Sequence, residues 1–424
     1  MGHLSVVFHH IDVGNTAFML LCTSLVMLMT PGLAFFYGGL VSRKGVLTIM
    51  FQSFVSMGWT AILWIFVGYS LCFGPTINGI IGDPIYYIFL NHVQPSTMYT
   101  GNSGGIPLIV HIGYQMMFAV ITPALITGAF ANRVTFRAYL IFLTLWILFV
   151  YCPFVHMVWS PSGLFAKWGV LDFAGGIVVH ATAGFAALAA ALYVGKRVVK
   201  TGGNHSIPFI ALGAGLLWFG WYGFNAGSEL QVNTVTVSAF LATDIAAACA
   251  AVTWLTIEYL HTRKPKLVGF LTGSIAGLAT ITPAAGYVSL QAAALIGILA
   301  SMVCYFTVNL MRKYLDDALD VFGVHGMGGV TGSILLGVFA TQLWNPQGTS
   351  GLLDGNVNFF FKQIVVVVFA SVWSFVVTYG ILWFIDKFTP VRVKREYELT
   401  GIDEELLGEN AYPTENRRNQ KSRS

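Results

Sequence analysis

Asp172-Phe173-Ala174-Gly175-Gly176-Ile177-Val178-Val179-His180 sets an acid and a histidine on either side of a Gly-Gly pair, at the mouth of an apolar run. That run, 176–194, is long enough to cross a membrane as a helix. The histidine therefore falls inside the span, about one turn below its start. A charged group in hydrocarbon costs roughly 2.5–3.5 kcal/mol. Such a histidine is kept where it lines a pathway or pairs with a polar group on a neighbouring helix, and both readings apply to His180.

Of the 424 residues, 56% are hydrophobic and 9% charged. A soluble domain carries about 25% charged residues, so the chain is read as an all-α, multi-pass membrane protein. Cys22, Cys72, Cys152, Cys249 and Cys304 all fall in apolar runs, with no metal or disulfide spacing. The glycines include small-xxx-small faces, Gly269-xxx-Gly273-xxx-Gly277 and Gly328-xxx-Gly332, that let helices pack closely. A net charge of +4, carried in loops, implies no nucleic-acid partner.

Eleven apolar stretches follow, at about 15–41, 46–73, 107–131, 137–158, 176–195, 207–227, 232–261, 267–287, 289–311, 321–341 and 358–386. Twenty of the 22 Lys and Arg residues lie after odd-numbered stretches, including Lys200 and the last four, Arg417, Arg418, Lys421 and Arg423. The exceptions are Lys167 and Lys362. The positive-inside rule then predicts eleven helices, the N-terminus outside and the C-terminus inside. Met1 to Asp12 holds no Lys or Arg, and the first apolar run exceeds the ~7–15-residue core of a signal peptide. The first span is therefore expected to be retained. External loops are expected at 74–106 and 159–175. The polar tail, 387–424, is too short for a catalytic domain, and its last dozen residues are expected to be disordered.

A trace of an inverted repeat is present. Ile121-Thr122-Pro123 in the third span matches Ile281-Thr282-Pro283 in the eighth. Asp172 upstream of His180 matches Asp320 upstream of His325, five spans on and in the opposite sense. This predicts two five-helix halves, about 15–196 and 207–341, with an extra helix at 358–386, and a pathway at the interface of the halves. Two intramembrane histidines at corresponding positions favour a functional pair, if the two helix starts dip to meet. Asp172 and Asp320 read as helix caps or as electrostatic support for a cation. Trp159 is an interfacial tryptophan or a cation-binding face. Trp218-Phe219-Gly220-Trp221-Tyr222-Gly223-Phe224-Asn225-Ala226-Gly227-Ser228-Glu229 crowds rings and glycines at the end of the sixth span. Tyr114 and Phe118 share a helical face. No phosphate-binding Gly-Lys motif, metal cluster or nucleophile elbow is present, so no enzyme is read.

Taken together, Asp172–His180, Gly223-Phe224-Asn225-Ala226-Gly227-Ser228, Thr282-Pro283-Ala284-Ala285-Gly286-Tyr287 and Asp320-Val-Phe-Gly-Val-His325-Gly resemble the ammonium transporter (Amt/Mep/Rh) family, on its Amt branch. The likeness runs from Phe35-Phe36-Tyr37-Gly38-Gly39 to Gly408-Glu409-Asn410-Ala411-Tyr412. It implies a trimer with one pore per protomer, in the plasma (inner) membrane. His180 and His325 would be twin histidines in the pore. Phe118 and Phe224 would be stacked gate rings, and Trp159, Ser228 and Tyr114 an outer ammonium site. Trp221, Leu125 and Thr282 would line the pore, and Asp172 would support the vestibule. The resemblance implies ammonium or ammonia as substrate, with methylammonium possible, no cofactor, and a PII-type protein at the inner face. Here Glu404-Glu405-Leu406-Leu407 lacks a His found in many members. An ammonium sensor and an electroneutral ammonia or carbon dioxide channel are the other readings. With about 38 residues beyond the last span, no room is expected for a signalling domain.

Overall fold

Lipid offers no hydrogen bonds, so a chain this apolar must close its backbone internally, and helices do so. The computed structural model describes residues 11–101, 104–198 and 203–412. Met1–His10, Lys200 and the tail beyond Tyr412, with Arg417, Arg418, Lys421, Arg423 and the expected disorder, lie outside the described residues.

Eleven apolar helices follow in order: α1 (Val13–Leu40), α2 (Val46–Phe73), α3 (Leu108–Ile126), α4 (136–159), α5 (Gly176–Val194), α6 (Ile207–Ala226), α7 (Thr234–Thr262), α8 (Leu267–Ile281), α9 (Leu290–Tyr314), α10 (Phe322–Phe339) and α11 (Val357–Ile385). Among the described residues, ten helices are long and apolar enough to cross a membrane. The exception is α8, whose 15 residues reach about 22 Å against a hydrocarbon core of about 30 Å. The expected span 267–287 leaves the helix at Ile281, and 282–287 continue as turns. Pro283 accounts for the stop, because it cannot donate to the helical ladder.

Helix starts are read from their caps. The Asp12 carboxylate accepts from Asn15 N–H at 2.7 Å, and Ser206, Asn233, Ser289 and Asn356 cap α6, α7, α9 and α11 in the same way. The loop 74–106 carries a short antiparallel pair, β1 (Thr76–Ile77) with β2 (Ile81–Gly82). Buried indoles find acceptors: Trp64 Nε1 donates to the Ile112 carbonyl and Trp146 Nε1 to Thr378 Oγ1, each at 3.1 Å.

The basic loops gather on one side, with the tail. Arg133, fully buried, donates to the Gly195 carbonyl at 2.6 Å and to the Asp316 carbonyl at 2.8 Å. Arg197 holds the Asp316 carboxylate at 2.6 Å and pulls it down to about 2 against the opposing push of burial. Two short tail helices, Arg395–Thr400 and Ile402–Leu407, strap this face. Arg392 pairs with Glu398 at 2.7 Å, and Asp403 accepts the N–H groups of Leu47 and Thr48 at the start of α2. We call this the tail side and the opposite one the vestibule side.

Candidate functional site

Both histidines lie in one-turn π-helical starts, Gly176–Ala181 on α5 and Phe322–Gly326 on α10. A π turn widens the ladder locally and re-aims the side chains on it. The start of α5 is built by Asp172. Gly175, at φ +118°, takes a backbone conformation that a side chain would strain. It turns four successive N–H groups onto one carboxylate. Gly175 and Gly176 donate to Oδ1 at 3.0 and 2.6 Å, and Ile177 and Val178 to Oδ2 at 2.9 and 3.0 Å. Burial pushes this carboxyl up, and the four N–H groups pull against it.

The equivalent acid for α10 is Asp317. Its Oδ2 accepts the Phe322 N–H at 2.7 Å, while Oδ1 is buried without a partner. The expectation that Asp320 caps this helix is corrected. Asp320 sits at φ +60° and gives its carboxylate to Arg312, at 3.0 and 2.5 Å.

Helices α5 and α10 cross glycine on glycine. A Cβ on Gly184 would meet Gly326 Cα and N at 2.1 Å, closer than any side chain allows. That approach brings the π turns together. His180 Nδ1 and His325 Nδ1 stand 3.3 Å apart, with ring centroids 5.3 Å apart and planes 16° from parallel. One Nδ1 must carry the hydrogen and the other accept it. The helix starts do meet, as contact between the histidines required.

From the vestibule side, an open cavity of ≈ 520 Å³ is lined by Phe118, Trp159, Asp172, Ser228 and, among others, His111, Gln115, Glu229 and Tyr287. Trp159 is fixed by its Nε1, which donates to the Asp172 carbonyl at 2.9 Å. Phe118 stands edge-on to Trp159 at 5.7 Å and stacks on Phe224 at 4.2 Å. Both phenyl rings are buried and close the floor of the vestibule. Tyr114 is also buried. Its hydroxyl donates to the Gly223 and Phe224 carbonyls at 2.9 Å and lies 3.3 Å from Ser228 Oγ. It packs behind Phe118, 5.0 Å between centroids, and pins the gate from below the vestibule surface.

Beneath the rings runs a narrow cavity bounded by Leu125, His180, Trp221, Phe224, Ile275 and His325. It leaves ≈ 10 Å³ to the centre of a water molecule, about enough for one. Trp221 stacks on His180 at 5.5 Å and donates Nε1 to Thr282 Oγ1 at 2.9 Å. Thr282 thus holds Trp221 from behind. His325 and Ile275 also line a second cavity, ≈ 130 Å³, which reaches Asp320 and Arg312 on the tail side. The structure therefore gathers the sequence-expected residues along one line. Sequence reasoning missed His111 and Gln115. Their signal was the spacing 111, 115, 118 on α3, one helical face above a gate ring.

The whole stretch 17–412 matches the Ammonium Transporter Family. The chain belongs to the ammonium transporter family. It is 44% identical over 403 residues to the putative ammonium transporter of Methanothermobacter thermautotrophicus, covering 94% of this chain and 98% of that one. The crystal structure of Candida albicans Mep2 superposes with a TM-score of 0.86 at 33% identity, over 95% of this chain and 91% of that one. A Sensor Amt Protein superposes at 0.85 with 27% identity, over 94% and 98%. This ammonium transporter family member is a multi-pass membrane protein, and its gate, histidine pair and cavities lie within the matched stretch.

Proposed function

We propose that the chain transports ammonium by splitting it. Moving a bare cation into a medium of low dielectric costs tens of kcal/mol by a Born estimate. One indole face contributes only ~0.5–2 kcal/mol to a cation. The cheaper route passes neutral ammonia through the narrow cavity and the proton separately. In this reading Trp159 and Ser228 form the recruiting site for ammonium, and Tyr114, expected there too, braces it from beneath. Phe118 and Phe224 gate it. Deprotonation occurs near the rings. Ammonia then passes His180 and His325, with Trp221, Leu125 and Thr282 lining or bracing the way. The observation that carries the reading is the histidine pair at 3.3 Å below a closed aromatic gate. Two coupled imidazoles share one proton and titrate as a unit.

The assembly we propose is a homotrimer in the plasma (inner) membrane, with the vestibule outside and the tail side inside. Residues 1–386 form the transport domain, built as two inverted five-helix halves and one extra helix. Residues 387–424 form a regulatory tail that a PII-type protein can meet. Tail contacts at Arg392, Glu398 and Asp403 support a docked tail.

The test is the current when ammonium is pulsed onto proteoliposomes of the purified protein. A saturable current that is lost in His180→Ala and His325→Ala is expected. An unchanged current in both variants overturns the histidine role. Ammonia equilibration without current indicates an electroneutral channel. The structural likeness to a sensor Amt protein favours a second reading, a sensor, for which binding without flux is the expected outcome.

A further inference from the structure

Three loops and the tail meet around one cavity on the tail side. It measures ≈ 290 Å³ and is lined by Ser42, Arg43 and Lys44 after α1, Asn132 after α3, Arg197 after α5, and tail residues between Tyr397 and Ile402. That volume is close to the lower end of small-molecule sites, roughly 300–1,000 Å³. The cavity lies off the transport path and shares no lining residue with the vestibule or with the cavities around the histidines.

Basic loops are expected on one side of a membrane protein, so the cations alone decide nothing. What marks the cavity is how the groups around it are spent. The acid that lines it, Glu398, accepts from Arg392 at 2.7 Å and from the Val198 N–H at 2.9 Å. Asp316 takes Arg197 Nε and Nη2, and Asp403 takes the start of α2. Arg43 and Lys44 are left without a carboxylate among the described residues. The Arg43 guanidinium lies 4.4 Å over the Tyr412 ring, and Lys44 Nζ reaches the Leu399 carbonyl at 3.5 Å. Arg197 Nη1 makes no hydrogen bond to the described residues. Neither do the hydroxyls of Ser42 and Tyr397 or the amide of Asn132, whose Oδ1 is buried.

Like charges gathered around one space repel. An anion there relieves the repulsion and takes up the idle donors. Those donors come from four separate segments, the 42–44 loop, Asn132, Arg197 and Tyr397. The oxygens of a carboxylate lie side by side, whereas those of a phosphate spread over a tetrahedron and meet donors from several directions. We propose that this cavity binds a phosphate-bearing anion, which joins the loops to Tyr397 and so fastens the tail to the body. A free phosphate and a lipid headgroup share that chemistry. The proposal does not depend on how, or whether, the chain conducts ammonium.

Inorganic phosphate titrated into the full-length protein in detergent tests the site, with chloride at matched ionic strength as the control. A saturable rise in the melting midpoint is expected, with slower tryptic cleavage at Lys394 and Arg395. Arg43→Gln combined with Lys44→Gln should weaken phosphate binding about a hundredfold, and Tyr397→Phe, which removes one hydroxyl, about tenfold. Nanodiscs of phosphatidic acid or of phosphatidylcholine separate the two sources. If added phosphate acts alike in both, the ligand is a soluble phosphate. If phosphatidic acid alone raises the midpoint, the double variant loses that rise and phosphate adds nothing, the ligand is a lipid headgroup. Either result upholds the site. No response to phosphate beyond chloride and none to phosphatidic acid overturns it, as does a response of equal strength in the double variant and in Tyr397→Phe to that of the parent.

Discussion

The two histidine helices start on acids placed alike but treated differently. Asp172 lies eight residues before His180, and Asp317 eight before His325. Asp172 receives four N–H groups, two on each oxygen. Asp317 Oδ2 receives the Phe322 N–H, and its Oδ1 is buried and bare. Burial, with the nearby Asp320 charge, pushes the Asp317 carboxyl up to about 7. Helix α5 starts on a saturated anchor and α10 on a group whose carboxyl is raised to about 7. The same helix start can therefore hold a rigid site on one side and a pH-responsive one on the other.

Removing the saturated anchor has the largest expected effect. Asp172→Ala leaves four buried N–H groups unpaired, each costing about 1–3 kcal/mol before relaxation. Loss of cooperative unfolding, or of folded protein altogether, is expected in thermal melts of the detergent-purified protein. Asp172→Asn keeps one acceptor oxygen and turns an amide NH₂ toward two donors, at a cost of roughly 2–5 kcal/mol. A melt within a degree of the parent's would mean that the four contacts are incidental.

Next in size is the crossing that the two starts serve. Gly184→Ala drives a methyl into the Gly326 backbone, an overpacking cost of about 1–3 kcal/mol. The expected result is a modest loss of stability but near-complete loss of ammonium current, because the histidines are levered apart. Gly328→Ala is the control, since its Cβ would meet Thr280 Oγ1 at 3.1 Å and otherwise only ordinary contacts, Ala279 Cβ at 3.6 Å and the Ala276 carbonyl at 3.9 Å. Equal currents in the two variants would detach the crossing from transport.

Much of this was legible in the sequence. The basic loops do gather with the tail, Asp172 does cap the start of α5, and Phe118 does stack on Phe224, the last as the family resemblance implied. Three things were not legible. His180 and His325 were expected as a pair, but the contact that brings them together, Gly184 of α5 meeting Gly326 at the start of α10, is announced by no local pattern. The stop of α8 at Ile281 competes with an apolar run that continues to Tyr287, and hydropathy does not see where a proline ends the ladder. Asp317 and Asp320 lie three residues apart, and the sequence reading took Asp320, whereas the eight-residue spacing to the histidine belongs to Asp317.

The pH response sharpens the comparison further. A carboxyl raised in the folded state is protonated there while the unfolded chain is already ionised. The folded state then binds the extra proton between about pH 4, the ordinary carboxyl value, and about 7. Across that window stability falls as pH rises, by at most about 1.4 kcal/mol per unit, and it is flat below both values. Asp317→Asn is expected to remove this slope from unfolding midpoints measured across the window. Asp316, held at about 2 by Arg197, contributes with the opposite sign and lower down, gaining stability from about pH 2 to 4. A slope between pH 4 and 7 that survives in Asp317→Asn would return Asp317 to the status of an ordinary cap.

The smallest expected effect decides which acid is the true counterpart of Asp172. Asp320 is paired with Arg312 beside a solvent-reaching cavity, and the Arg312 side chain is 61% exposed. An exposed pair of this kind contributes about 0–1 kcal/mol. Its φ of +60° is one that Asn adopts as readily as Asp. Asp320→Asn should therefore shift the unfolding midpoint little, and less still at high salt. If Asp320 capped α10 as Asp172 caps α5, the same change would cost as much as Asp172→Asn. Measuring the two side by side, with Asp317→Asn between them, ranks the three acids by what each holds. The geometry requires the order Asp172, Asp317, Asp320. Any order with Asp320 ahead of Asp317 would move the counterpart of the saturated anchor three residues along the chain.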